Sequence, residues 1–334
     1  LDFSGDRSSL KATYAALGVL TVAACAAGLF VGHGSLGDAA LRETFLRLRG
    51  YRMAAAFLAG ASLAVSGVAV QALFRNPLAD ASIVGTTAGA SLGGELAMFG
   101  YSMLTIRLGR IVPEMVVPIG CLGGALVSLA LLLAVVRRGR GPLVVLLTGF
   151  ILSMLFVAAN GLLTAVAQDS WEIARALISF ALGGVSGVGP RQLLMALPLF
   201  TFGVAALWFW GPPLDLLLTG TNEARSLGLD VRETRRWAVV WVAMLTTAAV
   251  SLGGNLAFVG LIVPHGLRPF TGVLTRRLLP ASALAGGGFV VLCDLLSRGL
   301  PTRNEIPLGV ITGLVGAPVF IVLLLRMYRG VDDA

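Results

Sequence analysis

Glu95 and Asp294 both fall inside long apolar runs. An ionisable side chain within a membrane-crossing segment ordinarily marks a proton or ion pathway. Two such groups make no relay, and each is equally well read as hydrogen-bonded to a neighbouring helix. The other chemistry-bearing residues are scattered. Cys25, Cys121 and Cys293 lie far apart with no Cys-x-x-Cys spacing, so they are read as packing residues, neither metal ligands nor a disulfide framework. His33 and His265 make no motif. No Ser/His/Asp or paired-carboxylate arrangement can be traced, so an integral-membrane enzyme is the least favoured class. Lys11 is the sole lysine and opens the first apolar run. A phosphate-cradling loop needs a lysine that reaches the nucleotide phosphates. If this chain's work is driven by ATP, the nucleotide site belongs to another polypeptide.

The elements that would position these residues are transmembrane helices. The 334 residues are 57% hydrophobic and 13% charged, against about 25% charged in a soluble domain. The mean hydropathy is +0.89. Charges retreat to the loops because each costs roughly 2.5–3.5 kcal/mol at the bilayer centre on insertion scales. The 43 glycines suit helices that approach closely where apolar burial supplies no drive to associate. Apolar runs predict spans at 11–31, 51–72, 84–104, 113–136, 142–167, 191–211, 236–254, 256–272, 280–298 and 306–326. Run 173–185 is too short to cross and reads as a surface or re-entrant helix. The eighth span is interrupted by Pro264 and Gly266, which is tolerated only where protein or a cavity satisfies the freed backbone. The first run shows no cleavage pattern and reads as a retained span. The fold class is therefore all-α: a polytopic integral membrane protein of about ten transmembrane helices, with residues 1–334 as a single transmembrane domain.

An even number of spans puts both termini on one side, and the Lys/Arg bias places that side in the cytoplasm. The outer side still holds many arginines, among them Arg42, Arg47, Arg49 and Arg52 in one short stretch. The longest loop assigned to the cytoplasm runs from about Gly211 to Arg235. Within it, Thr221 or Asn222 is placed to cap a short helix, Leu227 and Leu229 are apolar outside the membrane, and Gly228 is placed to end the helix in a left-handed turn. A short capped helix held outside the bilayer suits a partner's groove, whereas the local sequence alone equally describes a solvated loop.

Three further segments carry a family resemblance. The first joins Ser66-Gly67 and Gln71 to Arg75-Asn76-Pro77-Leu78-Ala79-Asp80 and then Gly85-Thr86-Thr87-Ala88-Gly89. The second is Phe258-Val259-Gly260-Leu261-Ile262-Val263-Pro264-His265-Gly266-Leu267-Arg268. The third is Glu305-Ile306-Pro307-Leu308-Gly309 continuing to Gly316-Ala317-Pro318. In this order and spacing the chain resembles the FecCD-type permeases, the membrane subunits of ABC importers for iron-siderophores, haem and vitamin B12. The resemblance extends over nearly the whole chain.

It implies ten helices per subunit, a homodimer with the pathway along its axis, two ATP-binding-cassette ATPase subunits at the cytoplasmic face, and a periplasmic substrate-binding protein outside. The chain would lie in the bacterial inner membrane and contact no nucleic acid. It would bind no cofactor or metal, with ATP and Mg on the partner subunit. The family's coupling helix corresponds to Gly220, Thr221, Asn222, Glu223, Ala224, Arg225, Leu227, Gly228 and Leu229. Its binding-protein docking arginines correspond to Arg49, Arg52 and Arg298. Its cytoplasmic gate corresponds to Gly141, Pro142 and Leu143. Ser153, Asn160 and Thr164 of the fifth span are placed to face the pathway, or to bond neighbouring helices.

The reading is a non-catalytic permease that moves an iron chelate (haem or ferric siderophore) or vitamin B12 by alternating access. The rival is a carrier driven by an ion gradient through Glu95 or Asp294.

Overall fold

The computed structural model describes residues 7–31, 39–81, 85–108, 113–136, 142–300 and 305–332. Among these residues every regular element is a helix, as lipid demands, because a helix satisfies its backbone polar groups within one segment. The elements are α1 (Arg7–Phe30), α2 (Ala39–Phe74), α3 (Thr86–Leu108), α4 (Pro113–Val136), α5 (Pro142–Val166), α6 (Trp171–Leu182), α7 (Pro190–Phe209), α8 (Gly211–Thr219), α9 (Thr221–Ser226), α10 (Val231–Gly253), α11 (Val259–Thr271), α12 (Thr275–Gly299) and α13 (Leu308–Asp332). A single 3-10 turn at Ala167–Asp169 joins α5 to α6. Each expected span coincides with one of these helices, and the short run is α6. Among the described residues, seven helices are long and apolar enough to cross a membrane.

The largest departure from expectation is α2. It has 36 residues, or about 54 Å at 1.5 Å per residue, against a hydrocarbon core of about 30 Å. Its first turns therefore stand clear of the apolar layer and carry Arg42, Arg47, Arg49 and Arg52. Its apolar length lies at the centre of the bundle, with Ala55, Ala56, Ala59, Ala61 and Ala64 fully buried. Small residues allow that position. A side chain on Gly60 would strike the Gly286 carbonyl of α12, and one on Gly67 would strike the Gly260 carbonyl of α11. Likewise Gly93 of α3 lies against Gly120 and Gly124 of α4. Such close backbone approach gives van der Waals contact where the hydrophobic effect gives none.

The expected interruption of the eighth span resolves into a repaired helix. Pro264 lies inside α11 and has no N–H for the carbonyl four residues back, Gly260. Gln71 of α2 supplies the missing donor, its Nε2 lying 3.3 Å from Gly260 O and 3.2 Å from Leu261 O. Gln71 Oε1 in turn accepts from Arg268 Nη2 at 2.8 Å. The breaks between helices satisfy one another in the same manner: Gly184 N donates to Gly253 O, and Leu308 N to Gly183 O, each at 2.9 Å.

Three of the five tryptophans, Trp171, Trp208 and Trp210, lie at helix ends. Trp210 follows α7 and meets Trp237 of α10 at 6.4 Å between ring centroids, and Trp237 stacks on Trp241 at 5.6 Å. Tryptophan concentrates at the membrane–water boundary, where an apolar ring with a polar N–H is best placed.

Candidate functional site

Beside that tryptophan cluster, the chain between α7 and α10 forms a compact hairpin of two short helices, α8 and α9. Gly220 separates them at φ 141°, a conformation that side-chain-bearing residues rarely adopt. The exit from α9 is a complete Schellman turn: Leu229 N donates to Ala224 O at 3.0 Å and Gly228 N to Arg225 O at 2.9 Å, with Gly228 at φ 84°. The left-handed role expected of Gly228 is therefore met. The expected capping by Thr221 or Asn222 is not. The N-cap of α9 is Gly220, with no side-chain bond, and Thr221 Oγ1 instead accepts from Arg235 Nη2 of α10 at 3.2 Å. The true side-chain cap is Asp230, whose Oδ1 accepts from Arg232 N and Glu233 N at 2.9 and 3.0 Å and so starts α10.

The hairpin has an inner and an outer face. Leu214, Leu217 and Ala224 are buried against the bundle, and Leu229 packs on the same core. Asn222, Glu223, Arg225 and Gly228 are exposed, and Leu227 stands 66% exposed at the tip. An apolar tip ringed by polar groups on a rigid turn is suited to insertion into a partner's pocket.

A contact unread in the sequence fixes the hairpin's base. Asp215 Oδ1 accepts from Thr275 N at 2.8 Å and from Thr275 Oγ1 at 2.6 Å. Thr275 is the first residue of α12, whose first N–H groups have no partner within their own helix. Burial raises the Asp215 carboxyl above its ordinary value, and the two Thr275 bonds and the Arg276 charge pull it partly back. Nearby, Arg276 Nε donates to Trp208 O at 3.1 Å.

The other end of α12 holds the arginines. The structure brings Arg49, Arg52 and Arg298 together, as expected, but directs their donors inward. Arg49 Nη1 lies 2.9 Å from Leu29 O and 3.3 Å from Phe30 O. Arg298 Nη1 lies 3.2 Å from Gly28 O and 2.7 Å from Val31 O. Together they close the carboxyl end of α1, where the last carbonyls lack helical partners and the helix dipole favours cations. Asp294 is their counter-ion. Its Oδ1 lies 2.8 Å from Arg52 Nη2 and its Oδ2 2.9 Å from Arg298 Nη2. Arg52 also pairs with Glu305, Nη2 to Oε2 at 2.8 Å. Side-chain exposure is 1% at Asp294 and 2% at Arg298, against 15% at Arg52 and 32% at Glu305. Arg49 and Arg298 are both buried and engaged within the chain. Arg52 and Glu305 form the accessible edge. Asp294 is likewise spoken for as a counter-ion.

Glu95 is fully buried on α3 and accepts from Ser91 Oγ one turn earlier at 3.1 Å. Of the fifth-span residues, Ser153, Asn160 and Thr164 share one face of α5 by their spacing. Ser153 is buried and donates to Gly149 O of its own helix at 2.9 Å, while Asn160 and Thr164 are half-buried. Gly141 lies outside the described residues, and of Pro142 and Leu143 the backbone alone is described, as the first turn of α5. The described residues include no group of three or more His, Cys, Asp or Glu able to hold a metal ion.

Comparison with known proteins agrees with this architecture. The model of the FecCD transport family matches residues 11–326. The cobalamin import system permease protein BtuC of Halobacterium salinarum is 38% identical over 79% of this chain and 69% of its own length. The Fe(3+) dicitrate transport system permease protein FecD of Escherichia coli is 36% identical over 83% of each chain. The molybdate import system permease protein MolB of Haemophilus influenzae is 32% identical over 88% of this chain and 84% of its own. A solved structure, described as an inward-facing conformation of a metal-chelate type ABC transporter, superposes with a TM-score of 0.83 at 29% identity, covering 95% of this chain and 99% of that one.

Proposed function

The chain belongs to the FecCD transport family and is the membrane-spanning permease subunit of an ATP-binding-cassette importer; we propose that it works as a homodimer with two partner ATPases and one substrate-binding protein. In this reading residues 1–334 form one transmembrane domain in a bacterial inner membrane, with both termini and the α8–α9 hairpin in the cytoplasm. ATP and Mg are bound by the partner, and the chain itself binds no cofactor. The substrate is a metal chelate such as ferric siderophore, haem or cobalamin. Relatives named for cobalamin and ferric dicitrate support that class without choosing a member, and the relative named for molybdate, a free oxyanion, falls outside it.

The observation that carries the reading is the hairpin. A Schellman-closed turn presents exposed Leu227 at its tip, and in this reading the tip stands beyond the membrane boundary. Closure of the partner ATPases on ATP would move this turn, and the bundle would pass between outward and inward access as a two-state element. Glu223, Arg225 and Leu227 would meet the ATPase, with Gly220, Thr221, Asn222, Ala224, Gly228 and Leu229 shaping the turn. Gly141, Pro142 and Leu143 remain the proposed gate, and Ser153, Asn160 and Thr164 the proposed pathway face. On the outer side, Arg52 is the docking arginine of this proposal, with Arg49 and Arg298 holding the surface that presents it.

The test is uptake by proteoliposomes holding the permease with its ATPase and binding protein. Cobalt-labelled cobalamin, iron-labelled ferric citrate and haem are offered in turn, with ATP inside. ATP-dependent accumulation of one of them is expected. Uptake that follows an imposed proton gradient without ATP would establish the ion-driven carrier instead. Asp294 already weakens that rival, because its carboxylate neutralises Arg52 and Arg298.

A further inference from the structure

The α8–α9 hairpin is continuous in sequence with α7 and α10, but α12 is reached across space. The side chain that crosses is Asp215, near the middle of α8. It holds the first N–H of α12 and the hydroxyl of the same residue, at 2.8 and 2.6 Å. A carboxylate receiving two donors from one residue fixes direction as well as distance. Movement of α8 along or across the bundle therefore loads the end of α12 directly.

The far end of α12 is equally committed. Twenty-three residues separate Thr275 from Arg298, roughly 35 Å along a helix. Arg298 holds the α1 carbonyls, Asp294 holds Arg52, and Ser297 Oγ donates to Ile306 O. Between the two ends α12 is fastened to α1. Tyr14 Oη donates to Arg277 O at 2.7 Å and Thr21 Oγ1 to Leu284 O at 3.1 Å. Gly60 of α2 lies against Gly286. Pro280 removes one internal bond from the first turns of α12, and the Tyr14 contact braces the turn that it weakens. The helix is thus held as one body from the hairpin to the arginine cluster.

We propose that Asp215 is a positioning residue for transport, the side chain through which motion of the hairpin is passed to α12 and so to the arginine cluster at the opposite membrane face. The inference rests on the hairpin being the ATPase contact. Without the Asp215–Thr275 clasp, the ATPase still docks and turns over, but hairpin motion no longer drives α12.

The experiment measures substrate accumulated per ATP hydrolysed in the reconstituted importer, together with retention of the ATPase on the permease. Asp215→Ala should lower the ratio about tenfold with the ATPase retained. Asp215→Asn keeps the carbonyl oxygen as acceptor and should stay within about twofold of wild type. Thr275→Val loses the hydroxyl donor but keeps the amide and should fall between them. If Asp215→Ala does not assemble, Thr275→Val decides, and a wild-type ratio there overturns the proposal. An unchanged ratio in Asp215→Ala also overturns it, as does an Asp215→Asn ratio as low as that of Asp215→Ala. Leu227→Asp separates this inference from the reading beneath it. Full ATPase retention and coupling in Leu227→Asp would remove the hairpin as the contact. Lost retention there, with a wild-type ratio in Asp215→Ala, would remove the clasp alone.

Discussion

Replacing Asp294 with alanine would leave Arg298 buried without its counter-ion and deprive Arg52 of one of its two carboxylates. Side-chain exposure is 1% at Asp294 and 2% at Arg298, so water cannot take over the lost interaction. Breaking a buried pair by removing one partner costs about 3–5 kcal/mol. Glu305 provides the internal comparison. It pairs with the same Arg52, but its side chain is 32% exposed and Arg52 retains Asp294 when it is lost. Its removal should cost about 0.2–1 kcal/mol, the range of exposed pairs. The double variant Asp294→Ala/Arg298→Met removes both charges and recovers part of the loss. It does not recover all, because the buried Gly28 carbonyl then lacks its donor, at about 1–3 kcal/mol for a buried unsatisfied group. Denaturant midpoints of the purified subunit in detergent, read by tryptophan fluorescence and near-ultraviolet circular dichroism, give the three differences. The reasoning is refuted if Asp294→Ala lies within 1 kcal/mol of wild type, or if it costs no more than Glu305→Ala.

Other expectations follow from single contacts. Gly228→Ala puts a side chain at φ 84°, which costs roughly 1–2 kcal/mol; global stability should fall by no more than that, and the ATPase, meeting a remodelled turn, should bind about fivefold or more weakly to the permease in a pull-down titration. Gln71→Leu strips the donor from Gly260 O and the acceptor from Arg268 and should lower stability by about 1–3 kcal/mol, measured as for Asp294. Glu95→Gln should leave ATP-driven uptake within about twofold of wild type; a tenfold loss would return the carboxylate to the transport cycle. Burial raises the folded-state value of Asp215, so its ionised form costs stability above that value and the cost vanishes as pH falls and the group is protonated in both states. The unfolding midpoint of Asp215→Asn should therefore exceed wild type at neutral pH, and the gap should close on acidification.

Much of this was legible in the chain because membrane helices advertise themselves locally. Run 113–136 coincides with α4, and run 142–167 with α5 to within a residue, since apolar length and a bounding proline or arginine are local signals. Gly228 was legible for the same reason, because a glycine after a short polar helix has few other uses. Asp215 was not. Within Pro213-Leu214-Asp215-Leu216 it reads as a loop acid, and its partner lies 60 residues further along. Gln71 has no task legible in its own segment, because that task is set by Pro264 on a helix distant in sequence. The extra turns of α2 were missed because charged residues ended the apolar run before the helix itself ended.

The outer arginines show how composition can point to the right place for an incomplete reason. Their number on the expected outer side asks for acidic partners, and the family resemblance supplies them on a binding protein. Two acids of this chain, three carbonyls of α1 and that of Val31 just after it meet much of that demand, from residues as far as 270 positions away. A buried ion pair is weak evidence of stability, since apolar residues of similar volume often do as well. Its usefulness here lies in register. Arg298 and Asp294 belong to α12, Arg52 to α2, Glu305 precedes α13, and the carbonyls belong to α1, so a slip of any one element strands a charge. Such a joint has few intermediate positions, which is what a transporter requires of a face that must open or close as a whole. Docking at Arg52 would then act on a joint already under internal control, with Glu305 the carboxylate that an incoming acidic side chain would have to share or displace.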